Sequence, residues 1–497
     1  MYVIGLDMGT SGVKSTVFDD KANVLKHAYR EYDLICSGEG MFELDARILF
    51  RKALEVLLES TQGCDKNEIR AICVTSFGES FVCLDEKDEV LANTMIYMDN
   101  RGTEECGEYS GLYPAAEIYG KCGQVVDPMF AVYKLRWLHK HNPELMHRVK
   151  RICFIADFIT YKLGGEFACD YSLAARSGMF NVKEKTWINS ATDFARVEKR
   201  VLPSPVPGGS VVGTMSGAAA ERLGMKAGIK LIVGGHDQIL AAIGSGAGDA
   251  GDIANGMGTV DCMTGILSEK DLEMDKFLQY NFTVVPFVGS GKYALYAFNM
   301  SGGSGIKWFR DTFAKDIAGQ KNAYELLNRE APEEPTGLYV LPYFAGGGTP
   351  YMDGRTPAAI AGMRLNTSRG KLFRAFMEGE SYEMMLNIEC LTDAGIDIKR
   401  IITVGGGSNS ALWMQLRADI FNQKVYLPQN KEAGTLASAL MCYASIGLYG
   451  SIEEAQKAIV RYEAEFVPDK ERAGEYSRYY ANYKKMYRMM KELYQKC

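Results

Sequence analysis

No stretch of this 497-residue chain carries an uninterrupted apolar run of the length that spans a bilayer, about 18 residues or more, so no transmembrane helix is expected. Charge of one sign is also lacking in excess. The net charge of -6 makes the protein a poor electrostatic partner for nucleic acid or an anionic membrane. Several catalytic signatures are missing: there is no G-x-x-x-x-G-K-[ST] phosphate loop, no H-R-D catalytic loop and no G-x-S-x-G nucleophile elbow. Gly246-Ala247-Gly248-Asp249-Ala250-Gly251 matches G-x-G-x-x-G, but strand-like sequence follows it where a dinucleotide fold needs a helix. The 12 cysteines, from Cys36 to Cys497, form no C-x-x-C pair and read as reduced thiols of a cytoplasmic protein. The 5 histidines offer no metal spacing, and His139 and His141 flank Lys140 on what reads as a solvated helix face. The opening Met1-Tyr2-Val3-Ile4-Gly5-Leu6-Asp7 lacks a basic leader and meets an acid at once, so it reads as a first strand, not as a signal peptide.

What is present is a large apolar fraction, 47 %, in a chain too long for one core, which predicts two to three domains. Residues 2–6 and 13–18 read as strands joined by a Gly-rich hairpin turn, and residues 46–60 have helical apolar spacing. Further strands are expected at Ile69–Val74, Phe81–Leu84 and Leu231–Val233, alternating with helices as in α/β layers. Pro203 to Gly209 is a breaker inside the first domain, and the Gly-rich run 244–251 is the candidate hinge. Asn255-Gly256-Met257-Gly258-Thr259-Val260-Asp261 echoes the first strand–turn. Residues 452–497 read as a helical, charged, Tyr-rich C-terminal cap.

Four segments can carry chemistry. In Asp7-Met8-Gly9-Thr10-Ser11-Gly12-Val13-Lys14, small residues let backbone N–H groups converge on an anion, with the Thr10 and Ser11 hydroxyls as further donors. Asp7, closing a buried strand, is a hard oxygen ligand of the kind Mg²⁺ takes. A second Gly-Thr turn, Gly258-Thr259, makes a paired grip on a polyphosphate conceivable; a plain hairpin is the competing interpretation of each. Gly405-Gly406-Gly407-Ser408-Asn409 ends a strand in three glycines, which suits a flat ring lying against the backbone. The competing interpretation is an ordinary strand–helix turn capped by Ser408. In Gly234-Gly235-His236-Asp237-Gln238, Asp237 stands between a strand and a helix and serves as an N-cap, a catalytic base, or both.

Taken in order, these segments resemble the FGGY family of carbohydrate kinases, over nearly the whole chain. Tyr97-x-Asp99-x-Arg101 resembles the family's W-x-D-x-R segment with Tyr for Trp. Met129 to His141, with Lys134-Leu135-x-Trp137-Leu138, is similar to a family signature in which Ala131 replaces Pro, Ser or Thr. Gly302-Gly303 and Ile306 to Asp311 resemble a further block, and Gly405 to Gln415, continuing to Ala418-Asp419 and Glu432-Ala433-Gly434, is the most specific match.

The resemblance implies an α/β fold of two ribonuclease-H-like (actin-like ATPase) domains, residues 1–245 for sugar and 246–497 for ATP, with an interdomain active-site cleft. It implies Asp237 as catalytic base and Asp7 as the Mg²⁺ residue. Thr10, Ser11, Lys14, Gly258 and Thr259 would bind phosphates, and Gly303, Gly406, Gly407 and Asn409 the nucleotide. A homodimer is also compatible with the family. At the family's substrate loop this chain has Ser76-Phe77-Gly78-Glu79-Ser80 in place of the Met-His-Gly typical of xylulokinases. Glu79, Asp99 and Asp237 are the candidate hydroxyl acceptors, and the expected substrate is a neutral ketopentose such as xylulose. The alternatives are a glycerol- or erythritol-like polyol, or an actin-like ATPase without sugar kinase activity.

Overall fold

The structure is a computed structural model that describes residues 1–494. By contact density the chain forms two compact units. The first comprises Met1–Gly244, Thr283–Ala294 and Glu432–Val460; the second comprises Ser245–Phe282, Leu295–Lys431 and Arg461–Cys497. The chain thus first leaves the first unit inside the Gly-rich run expected as a hinge. It then returns twice, which a single boundary at 245/246 does not describe.

In the first unit, β1 (Tyr2–Met8), β2 (Gly12–Phe18), β3 (Val24–Glu31), β4 (Ile69–Ser76), β5 (Val211–Thr214) and β6 (Lys230–His236) form one sheet in the order β5-β6-β4-β1-β2-β3. β1 and β4 are parallel, as are β4 and β6, whereas β1–β2, β2–β3 and β5–β6 are antiparallel. The central strands are buried on both faces and read as near-continuous apolar runs, as parallel sheets covered by helices do. One cover is the helix Ala433–Ser445, apolar all round, with Leu436, Ala437, Ala439 and Leu440 inaccessible to solvent. It lies so close to β1 that a Cβ on Gly5 would stand 2.6 Å from the Thr435 carbonyl oxygen. This contact explains why the segment returns to the first unit.

The second unit repeats the plan. β7 (Asp252–Met257), β8 (Asp261–Ser268), β9 (Lys292–Asn299, of which Leu295–Asn299 belong to this unit), β10 (Arg400–Val404), β11 (Val425–Pro428) and β12 (Tyr462–Phe466) run in the order β12-β11-β10-β7-β8-β9. β7–β10 and β10–β11 are parallel, and β7–β8 and β11–β12 antiparallel. Both units therefore open on a hairpin whose first strand pairs in parallel with a later one, the duplicated arrangement that the two Gly-Thr turns hint at. β12 interrupts a stretch expected to be wholly helical. The helices Ile452–Ile459, Lys470–Tyr483 and Met486–Tyr494 surround it. All described cysteines are free thiols; Cys497 lies outside the described residues. Among the described residues no helix is long and apolar enough to cross a membrane.

Candidate active site

Sheet register assembles a candidate site in the first unit. Asp7 pairs with Lys14 on β2 and with Thr75 on β4, and Thr75 pairs with Gly235 on β6. One row across four strands thus carries Asp7 towards the turn that holds Asp237. Asp237 opens the helix Asp237–Ser245 directly after β6. Its side chain stays 35 % exposed, enough for an acceptor hydroxyl to reach it, and His236 Nε2 lies 3.3 Å from its Oδ1. Burial, and then the carboxylates of Asp7 and Glu79, push the Asp237 carboxyl up to about 8 against the Gln238 N–H and the Arg176 charge. His236 is held well below its ordinary value, first by burial and then by Arg176, so its ring is neutral.

Asp7 is pushed up to about 6, chiefly by burial, while Lys14 pulls the other way. Beside it the helix Ala433–Ser445 begins, and a Cβ on Gly434 would lie 3.4 Å from Asp7 Oδ2. The turn itself closes through Gly9 N–H to Gly12 O at 2.9 Å, and the Tyr32 hydroxyl donates to the Gly9 carbonyl. Thr10 is half-buried and Ser11 exposed at the tip. Lys14 Nζ donates to Glu432 Oε2 at 2.5 Å, so its charge is shared with a carboxylate.

The two substrate-loop candidates differ from a simple hydroxyl acceptor. Glu79 is buried and adopts a φ of +62°, and it accepts from the Arg176 guanidinium through Nε and Nη2. Arg176 Nη1 donates to Gln124 Oε1 at 2.9 Å, and its guanidinium lies over the Phe130 ring at 5.1 Å. Gly78 leaves the space for this, since a Cβ there would stand 3.1 Å from both Arg176 Cβ and His236 Cδ2. Tyr97 faces the same place: burial and then Glu79 and Asp237 raise its hydroxyl. Asp99, by contrast, is fully buried. Its oxygens accept from Phe42 N at 2.8 Å, Arg101 N at 3.0 Å and Arg101 Nη2 at 2.6 Å. Those bonds engage both of its oxygens and hold Arg101 beside Glu43. Arg176 and Gln124 join this cluster around Glu79, and sequence reasoning singled out neither.

A second candidate site lies wholly in the second unit. A cavity of about 790 Å³ is lined by Gly258, Thr259, Gly303, Gly406, Gly407 and Asn409, six positions expected to meet nucleotide. Lys321, Tyr324, Phe373, Met377 and Trp413 line it as well, beside polar groups such as Glu325 and Asn328. The glycines have distinct jobs. Gly405 holds a φ of +97°, and a Cβ there would stand 2.7 Å from the Met257 carbonyl oxygen. A Cβ on Gly303 would lie 2.6 Å from the Gly258 carbonyl oxygen, whereas at Gly406 it would meet nothing. The Gly-rich segment is a 3₁₀ turn, Gly406–Asn409, and the following helix Ala411–Phe421 is capped by Ser410, not by Ser408. Ser408 bonds back to the Gly405 carbonyl at 2.7 Å. Arg417, fully buried, ties that helix to Asp261 and Asn255 of the β7–β8 hairpin, which fixes the Gly258–Thr259 turn opposite the three glycines.

The FGGY N-terminal domain model matches residues 2–244 and the C-terminal domain model residues 253–446. The chain belongs to the FGGY family of carbohydrate kinases. It is 26 % identical over 500 residues to a xylulose kinase of Bacillus subtilis, covering 99 % of this chain and 98 % of that one. The ligand-bound xylulose kinase of Lactobacillus acidophilus superposes with a TM-score of 0.91 at 25 % identity, over 100 % of this chain and 99 % of that one. The gluconate kinase of the same organism superposes with a TM-score of 0.90 at 25 % identity and the same coverage. The fold is thus the two-domain ribonuclease-H-like one, and the enzyme is an ATP-dependent carbohydrate kinase. An actin-like ATPase without sugar kinase activity is set aside.

Proposed function

We propose that this kinase transfers the γ-phosphoryl group of ATP to a hydroxyl of a neutral ketopentose of the xylulose type, with Asp237 as general base. The observation that carries the base assignment is a partly open carboxyl whose affinity for a proton has been raised to about 8 by burial and two neighbouring carboxylates. A sugar hydroxyl is a weak nucleophile that sheds its proton as it attacks, and a base poised near the working pH receives it. Neutral His236 flanks Asp237 without neutralising it. The Glu79–Arg176 pair is internally neutral and offers both an acceptor and a donor edge to sugar hydroxyls, a balance that suits an uncharged polyhydroxy substrate.

The phosphates would meet Thr10, Ser11, Gly258 and Thr259, with Lys14 supplying charge, and the nucleoside would fill the cavity beside Gly303, Gly406, Gly407 and Asn409. Asp7 fits the role of a Mg²⁺ residue: it is a hard carboxylate oxygen donor near the end of β1, and burial raises its affinity for a proton to about 6 in spite of Lys14, so a bound cation would compensate a carboxylate that its surroundings leave poorly solvated. Bound Mg²⁺ would neutralise charge on the transferring phosphoryl group.

The deciding experiment is coupled ADP release across xylulose, ribulose, glycerol, erythritol and gluconate at fixed ATP and Mg²⁺, with Asp237→Asn as control. Ketopentose-stimulated turnover that the variant loses supports the reading. Preference for a polyol or gluconate overturns the substrate, and an active Asp237→Asn overturns the base.

A further inference from the structure

The turn that presents Asp237 is not held by the sheet in the ordinary way. The register between β6 and β4 slips between Val233 and Gly235, so one residue, Gly234, is extruded just before the catalytic segment. Bulges of this kind re-aim the side chains that follow them, at the cost of part of the ladder. The site admits no side chain: a Cβ on Gly234 would stand 2.3 Å from the Val74 carbonyl oxygen. Gly235, at a φ of +139°, would bring one within 3.0 Å of Asp170 Oδ2 and 3.1 Å of Ser172 Oγ.

Two hydroxyls from outside the strand take over its fixing. Thr75 Oγ1 donates to the Gly235 carbonyl at 2.7 Å, and the His236 N–H donates to Ser172 Oγ at 2.9 Å. A hydroxyl has one proton, and that of Ser172 goes to Asp170 Oδ2 at 2.7 Å, which turns its lone pairs towards His236. Asp170 is itself fixed. It accepts from the N–H groups of Ser172 at 2.7 Å and Leu173 at 2.8 Å as the cap of the helix Tyr171–Ala175. It also ends the short strand Ala168–Asp170, which pairs in parallel with Ser204–Val206. Asp170, Ser172 and Thr75 are all buried, and a chain of satisfied bonds in such a place is rigid.

We propose that Ser172, its hydroxyl oriented by Asp170, is a positioning residue for Asp237, holding the bulged Gly234–Gly235–His236 segment so that the carboxylate meets the acceptor hydroxyl at the required angle. The proposal rests on Asp237 being the base. A misplacement of about 1 Å at such a group costs on the order of 10²-fold in rate.

The test measures kcat and both KM values for Ser172→Ala, Ser172→Thr, Asp170→Asn, Asp237→Asn and the Ser172→Ala/Asp237→Asn pair, with circular dichroism melting of each. Ser172→Ala is expected to lower kcat on the order of 10²-fold, with the KM for ATP unchanged and the KM for sugar moved by less than about threefold. Ser172→Thr keeps the hydroxyl and should recover most of the rate. The pair should be no slower than Asp237→Asn alone, because no base is left to misplace. If Ser172→Ala does not fold, Asp170→Asn, which frees the hydroxyl rotor without changing volume, carries the same expectation. A lowered melting point with kcat intact in Ser172→Ala or Asp170→Asn, while Asp237→Asn is inactive, overturns the positioning role. An active Asp237→Asn overturns the base reading instead, so the two failures are told apart.

Discussion

Arg176 reaches Glu79 from 97 residues away and closes an ion pair in which the two side chains are only 9 % and 5 % exposed. Two buried charges of this kind stabilise little as a pair, yet either one alone is costly, because the other is left uncompensated. Arg176→Met or Glu79→Met is therefore expected to lower stability by about 3–5 kcal/mol, and the double variant to recover most of that loss. Denaturant titration of the three variants checks it, and a double variant as unstable as the sum of the singles would refute the pairing. Both single variants should also raise the KM for sugar while leaving that for ATP in place.

The acid limb of the rate profile follows from Asp237. A base is useful only when deprotonated, and this carboxyl holds its proton up to about pH 8. The value of kcat/KM for sugar should rise about tenfold per unit of pH below that point and level off above it. The sign is fixed by the raised value: an unperturbed carboxylate would give a flat profile through neutrality. Glu79→Gln removes one of the two carboxylates that raise Asp237, so the limb should move to lower pH in that variant. A limb that stays in place would show that Glu79 does not act on the base.

Much of this arrangement is legible in the sequence, and the reason is local. The Asp7–Lys14 hairpin, its echo at Gly258–Thr259 and the strand–turn–helix around Asp237 are each written in contiguous residues whose small side chains announce a tight turn. What was not legible depends on chain segments meeting from afar. Arg176 lies among Ala174, Ala175 and Ser177 with no spacing to mark it, and only the fold brings it to Glu79. Asp99 reads as an open acceptor until Phe42 and Arg101 are seen to occupy its oxygens. β12 escaped although Tyr-Glu-Ala-Glu-Phe does alternate, because it is only five residues long, lies between charged helical stretches, and its residues are exposed or half-exposed at the sheet edge. The return of Ala433–Ser445 to the first unit is encoded in Gly5 and Gly244. A Cβ on Gly244 would overlap the Ala433 carbonyl, but nothing in the sequence says which helix those glycines await.

The nucleotide cavity offers a discriminating pair of glycines. A Cβ on Gly406 would meet open space, whereas one on Gly407 would stand 2.7 Å from Met257 Cε and 3.0 Å from its Cβ. A bulky residue at 406 therefore intrudes into the cavity without disturbing the chain, and one at 407 strains the β7 contact first. Gly406→Trp is expected to raise the KM for ATP by on the order of tenfold or more, with sugar KM and melting point unchanged. Gly407→Trp should also lower the melting point. An unchanged ATP KM in Gly406→Trp would remove the nucleoside from this cavity.

Glu383, in the helix Arg369–Asp393, has no place in the chemistry but links pH to stability. Tyr343 donates to its Oε1 at 2.8 Å, Tyr483 donates to its Oε2, and burial outweighs both to push the carboxyl up to about 7. In the unfolded chain the group titrates near 4.5. Between those two values the folded state keeps a proton that the unfolded state has released. The contribution of Glu383 is therefore fully present below pH 4.5 and is lost as pH rises to about 7, after which it is constant. The span corresponds to roughly 3 kcal/mol. Glu383→Gln cannot titrate, so its stability deficit relative to the parent should be largest in acid and shrink by about that amount on passing through neutrality. Unfolding midpoints of parent and variant at matched pH measure the difference. A deficit that does not change with pH would mean that Glu383 titrates at the same value folded and unfolded, so that its burial does not raise it.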